Sequence, residues 1–149
     1  MKILFLILTL SSIMFKQSQG NDEKQIETYL AIVAKKNLDK KSLYPFIVPI
    51  GDQNDSINKK RYEILDLQLT YQNKLLQNKD LRKITIVPYK SLPASQQNIN
   101  GTDELTDNIY EIQYNGKRLF TMLLDSRHLI KSMSLASKGE GSPRFFFLI

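Results

Sequence analysis

Asn115-Gly116, set between the runs Ile109–Tyr114 and Lys117–Leu124, constrains this chain more than any other pair of residues. A two-residue type I′ turn needs positive φ at both central positions, which Asn followed by Gly tolerates best, so the segment predicts an antiparallel hairpin. Tyr110, Ile112 and Tyr114 alternate with Glu111 and Gln113, and Phe120, Met122 and Leu124 alternate with Leu119, Thr121 and Leu123. Alternation places each set on its own face. One face of the hairpin is expected to pack on helices, with Glu111 turned to water.

The rest of the C-terminal half extends this pattern. Lys83–Tyr89 reads as a strand interrupted by Pro88, which cannot donate to a ladder and so points to an edge or a bulge. Ser91–Asn108 is a polar loop. Leu129–Leu135 follows the polar turn Asp125-Ser126-Arg127, and Arg144–Ile149 follows the loop Ser137–Pro143. Consecutive strands joined by short turns make an antiparallel meander. The last run, Phe145 to Ile149, has no polar side, so it is either covered on both faces or offers a second copy of the chain an edge for a homodimer.

The N-terminal half is helical in character. From Asp22 to Leu38, Ile26, Tyr29, Leu30, Val33 and Ala34 recur three and four apart among charged residues, the pattern of an amphipathic helix. Leu43–Ile50 is apolar but holds Pro45 and Pro49, which favours a buried extended connection. Lys59–Asn78 fits two templates. Leu65, Leu67, Leu69 and Tyr71 alternate as in a strand, while Ile64, Leu67, Tyr71 and Leu75 form a helical stripe beside Tyr62, Leu65, Leu69 and Leu76. Its Leu, Gln, Lys and Glu content favours helix.

The fold expected is α+β: one or two N-terminal helices packed on a four- to five-stranded antiparallel meander sheet. By element order this looks like the cystatin-like or nuclear-transport-factor-like cone, an architectural resemblance that implies no function. A ferredoxin-like arrangement is the alternative, and it requires a helix between strands of the C-terminal half.

Lys2 leads an almost unbroken apolar run from Ile3 to Phe15, followed by Lys16-Gln17-Ser18-Gln19-Gly20. This is the layout of a signal peptide with cleavage after Gly20. A 13-residue helix reaches roughly 20 Å, short of a hydrocarbon core of about 30 Å, so no membrane span is expected after cleavage. Residues 21–149 then form a single secreted or periplasmic domain. The chain has no cysteine, which excludes a lipid-bearing thiol and any disulfide. Loss of Lys2 and Lys16 lowers the formal charge from +6 to +4. In an exported protein that mild excess suits solubility or an anionic envelope partner rather than nucleic acid.

Catalytic chemistry is hard to assemble. His128 is the one histidine, and Asp125-Ser126-Arg127-His128 places Asp, Ser and His in a single tight turn, where they do not point at one another as a triad must. No distant residue is apparent in the sequence to orient the imidazole. Asp52, Asn54, Ser56, Asn58 and Glu63 fall at calcium-loop spacing, but Ile57 occupies the place that requires Gly and Lys60 adds positive charge; a loop capping the next helix is the better reading. Asp103, Glu104, Asp107 and Glu111 are acids that a glycoside hydrolase would need in pairs, although acids in a polar loop more often serve solubility. No metal or cofactor site follows, and no catalytic residue is assigned.

Tyrosine combines an apolar body with a polar tip and suits pocket walls and interfaces. The binding residues expected are therefore Tyr110 and Tyr114, with Arg118 and Arg127 at the rim of the open side of the meander. The function expected is noncatalytic binding of a small ligand or an envelope protein. An extracellular hydrolase using carboxylates of the 103–111 region and an inhibitor or immunity-type protein are the alternatives.

Overall fold

The computed structural model describes residues 20–99, 106–133, 135–137 and 144–146. Residues 1–19, on which the expectation of a signal peptide rests, Asp103, Glu104 and residues 147–149 lie outside them. Helix α1 covers 20–33, a 3₁₀ segment runs Lys40–Phe46, and α2 spans Ser56–Leu76. Strands β1 (Ile84–Pro88), β2 (Ile109–Tyr114), β3 (Lys117–Leu124) and β4 (Ile130–Ser132) make one antiparallel sheet in sequential order. Strands β5 (Leu135–Ser137) and β6 (Arg144–Phe146) pair only with each other. The architecture is α+β with a four-stranded meander. Sequential strand order, with only three-residue 3₁₀ turns and no α-helix between the described strands, is not the ferredoxin-like arrangement.

The β2–β3 turn forms as its residues dictate, with φ of 51° at Asn115 and 74° at Gly116. Ile112 pairs with Phe120 and Tyr110 with Met122, and β1 sits at the sheet edge, where Pro88 costs no central hydrogen bond. The face bearing Ile86, Tyr110, Ile112, Phe120, Met122 and Leu124 packs against Ile26, Tyr29, Leu30 and Val33 of α1 and Leu65, Leu69 and Leu76 of α2. Helix α1 stops at 33, short of the expected Leu38. Asn73 Nδ2 of α2 donates to the carbonyls of Val33 (2.6 Å) and Lys35 (2.8 Å) and so closes its C-terminal end.

Three readings are corrected. Lys40–Phe46 is 3₁₀ rather than extended, because Asp39 caps it by accepting from the Lys41 amide at 3.1 Å and Pro45 is compatible with helical φ. The chain becomes extended only at Ile47, which makes a parallel bridge to Ile130. The 91–108 stretch is more than a polar loop: Leu92 and Ile99, with Tyr89 just before it, pack on Val87, Ile109 and Leu123 to build a small core on the second face of the sheet. In consequence Glu111 does not face water. It is 4% exposed, with Arg118 Nη1 3.6 Å from its carboxylate.

The turn gives a direct test. A Cβ at Gly116 would meet nothing within 4 Å, so the cost of Gly116→Val is conformational alone. A β-branched residue held at positive φ should lower stability by about 1–3 kcal/mol in urea titration. An unchanged midpoint would mean that the turn can relax out of the left-handed region.

Candidate functional site

The four residues expected to form a site do not meet. Tyr110 lies fully buried on the helix-covered face of the sheet, and Tyr114, on the same face, is half-buried at the hairpin end with Lys79 Nζ 4.6 Å from its ring centroid. Arg118 projects on the opposite face beside Glu111. Arg127 sits in the β3–β4 turn, its guanidinium donating to Asp125 at 2.9 Å. Burial pushes the Asp125 carboxyl up, but hydrogen bonds from the Leu129 amide and from the Arg127 side chain and amide outweigh it and hold the carboxyl below its ordinary range. The turn is thereby rigid, and it fixes His128 at φ of 66°, a left-handed conformation that costs a non-glycine residue energy.

His128 does have a distant orienter. Asp22 of α1, 3% exposed, brings Oδ1 to 2.5 Å from His128 Nδ1, a close contact without the alignment of a hydrogen bond, while Oδ2 accepts from the Tyr110 hydroxyl at 2.7 Å. Gln25 Nε2 donates to the His128 carbonyl at 2.6 Å. Burial, then the hydrogen bond from Tyr110 to Asp22 and the neighbouring negative charges, push the Tyr110 phenol above its ordinary range, so it stays a donor. Nothing in the sequence links residue 22 to residue 128; only the packing of α1 on the sheet does. The cluster ties the start of the described helix to β2 and to the β3–β4 turn.

A different region stands open. Tyr44 and Tyr62 face each other across the join of the 3₁₀ segment and α2, ring centroids 6.2 Å apart and tilted by 52°. They separate an open polar groove of about 830 Å³, with Gln53, Asn54, Lys59, Glu63, Asp66 and Leu67 on its walls, from an apolar cleft of about 250 Å³ formed by Ile47 to Ile50 and Leu65. The Tyr62 hydroxyl donates to the Gly51 carbonyl at 3.2 Å, and Lys40 Nζ donates to Asp66 at 2.5 Å and to Thr70 at 2.8 Å, so both walls are pinned. The Asp52–Glu63 stretch is used for capping: Asp55 accepts from the Ile57 and Asn58 amides at 2.9 and 3.0 Å, and Asp52 accepts from the Asn54 amide at 2.9 Å.

Beside the groove runs the surface feature that sequence reasoning missed. The exposed large apolar side chains of the described residues are Tyr44, Ile57, Ile64, Leu67 and Tyr71, at 38% to 69% exposure. Four of the five lie along the side of α2 that faces away from Leu65, Leu69, Gln72 and Leu76, and the fifth adjoins the groove. The signal was present in the double periodicity of this segment. No family model, curated protein or solved structure matches this chain.

The Asp22 cluster makes a quantitative expectation. Asp22→Ala leaves the buried Tyr110 hydroxyl without its acceptor and should cost about 1–3 kcal/mol. Tyr110→Phe in addition should cost less than the sum of the two single changes, because both remove the same bond. Strictly additive losses in urea titration would show that the contact contributes nothing.

Proposed function

We propose that the chain is a noncatalytic binding module, exported through a signal peptide cleaved after Gly20, and that it engages a protein partner through the outer face of α2. The observation that carries this is the concentration of exposed large apolar side chains on that one helix and on Tyr44 next to it. Isolated surface apolar residues are ordinary; a contiguous row is where interfaces form. Tyr71 and Tyr44 supply the amphipathic rings favoured at such contacts, and Lys59, Arg61, Glu63 and Asp66 flank the row as a polar rim. No described helix is long and apolar enough to cross a membrane. The acids of the hydrolase reading that are described are already partnered: Asp107 contacts Lys90, and Glu111 faces Arg118 on the second side of the sheet. A small-ligand reading has its own support in the polar groove, where tyrosine rings and amide and charged side chains converge around Tyr44 and Tyr62.

The test begins with exported chain, whose first residue by N-terminal sequencing should be Asn21. That material, carrying a photo-crosslinker on the exposed side of α2, should give a discrete protein adduct in envelope extract. Leu67→Glu should reduce the yield by a factor of ten or more, since charge in an apolar contact costs over about 1.4 kcal/mol, whereas Lys24→Glu on the exposed side of α1 should not. Equal yields from all three proteins would contradict the assignment.

A further inference from the structure

The outer face of α2 repeats every seven residues. Ile57, Ile64 and Tyr71 form one row and Lys60, Leu67 and Lys74 the other, the spacing by which helices pack along a shared seam. The seam maps onto itself when the helix is reversed about a point between Ile64 and Leu67: Ile64 falls on Leu67, Lys60 on Tyr71 and Ile57 on Lys74. We propose that this face is covered by a second copy of the chain, α2 lying antiparallel to its counterpart about a twofold axis between Ile64 and Leu67. The inference rests on the reading of α2 as a protein-binding face and names the partner.

Charge selects both the partner and the direction. A parallel pair would set Lys60 against Lys60 and Lys74 against Lys74. The antiparallel pair sets each Lys60 over a Tyr71 ring, a contact that this chain already makes internally between Lys79 and Tyr114, and lays the aliphatic stem of each Lys74 along Ile57. The helix dipoles oppose as well. The exposed apolar side chains present roughly 500 Å² per copy, so two copies bring together on the order of 1,000 Å², the size at which a specific interface becomes viable. With 21 residues, α2 is about 31 Å long, enough to carry that seam from end to end.

The absence of cysteine from the sequence allows a clean geometric test with the mature chain. Sedimentation of the wild type at about 50 µM should give a dimer, and Leu67→Glu should weaken self-association by at least about a hundredfold. Under mild oxidation Leu67→Cys, near the axis, should form a covalent dimer. Ile57→Cys should not, because antiparallel helices hold the two copies of residue 57 about 25 Å apart. A wild type that stays monomeric at several hundred micromolar, on the scale of a weak association, overturns the proposal, as does cross-linking at residue 57 as efficient as at residue 67. If the monomer still yields a Leu67-dependent adduct in extract, the face binds another protein and only self-pairing is wrong; if that adduct is also missing, the interface reading fails with it.

Discussion

The Tyr29 hydroxyl donates to Gln72 Oε1 at 2.5 Å in the middle of the core, and the position of α2 depends on it. Tyr29 is fully buried, edge-on to Phe46 at 6.2 Å between ring centroids, with its oxygen 2.8 Å from Met133 Sδ. Burial pushes its phenol far above the ordinary range, so it remains a donor, and a donor in that setting must have an acceptor. Gln72 is the acceptor. Helix α2 has apolar residues on more than one side, and the Tyr29–Gln72 hydrogen bond forms only when the side bearing Leu65, Leu69 and Leu76 turns inward. Leu65, Leu69 and Leu76 then enter the core and Ile57, Ile64, Leu67 and Tyr71 are left outside. Asn73, one residue on, reinforces the same rotation by closing the end of α1.

From that single choice follow the sheet cover and the exposed face. The inward side of α2 and the inner side of α1 cover the Tyr110, Ile112, Phe120, Met122 face of the meander, while the Asp22 contacts with Tyr110 and His128 fix the start of α1 against the sheet. The outward side keeps the exposed row of Ile57, Ile64, Leu67 and Tyr71. The functional proposal therefore depends less on any reactive group than on the rotation of one helix.

Much of this arrangement was legible in the sequence where a local rule operates. The hairpin at Asn115-Gly116, the edge-or-bulge position to which Pro88 points, the buried stripe of α1 and the meander order each follow from residues close together in the chain. The rest was set by contacts across long separations. Glu111 alternates as a solvent residue should, yet the 89–99 segment covers part of its side of the sheet. Tyr110 was read as a pocket wall, but the helices bury it and Asp22 binds its hydroxyl. His128 gains its orienter from residue 22, on a helix that touches it only in the folded chain. The two stripes of α2 were both visible, and choosing between them required knowing that Tyr29 would meet Gln72.

Thiol labelling of single cysteines tests the rotation of α2 most directly, because the chain has none of its own. At a protein concentration low enough to keep α2 unpaired, cysteine at position 67 or 71 should react with a maleimide within about tenfold of the rate of an unfolded peptide. Cysteine at position 69 or 76 should react only through unfolding, slower by on the order of a thousandfold for a domain of ordinary stability. Rapid labelling at 69 with protection at 67 would contradict the account, since it would place the other stripe in the core and leave Gln72 away from Tyr29.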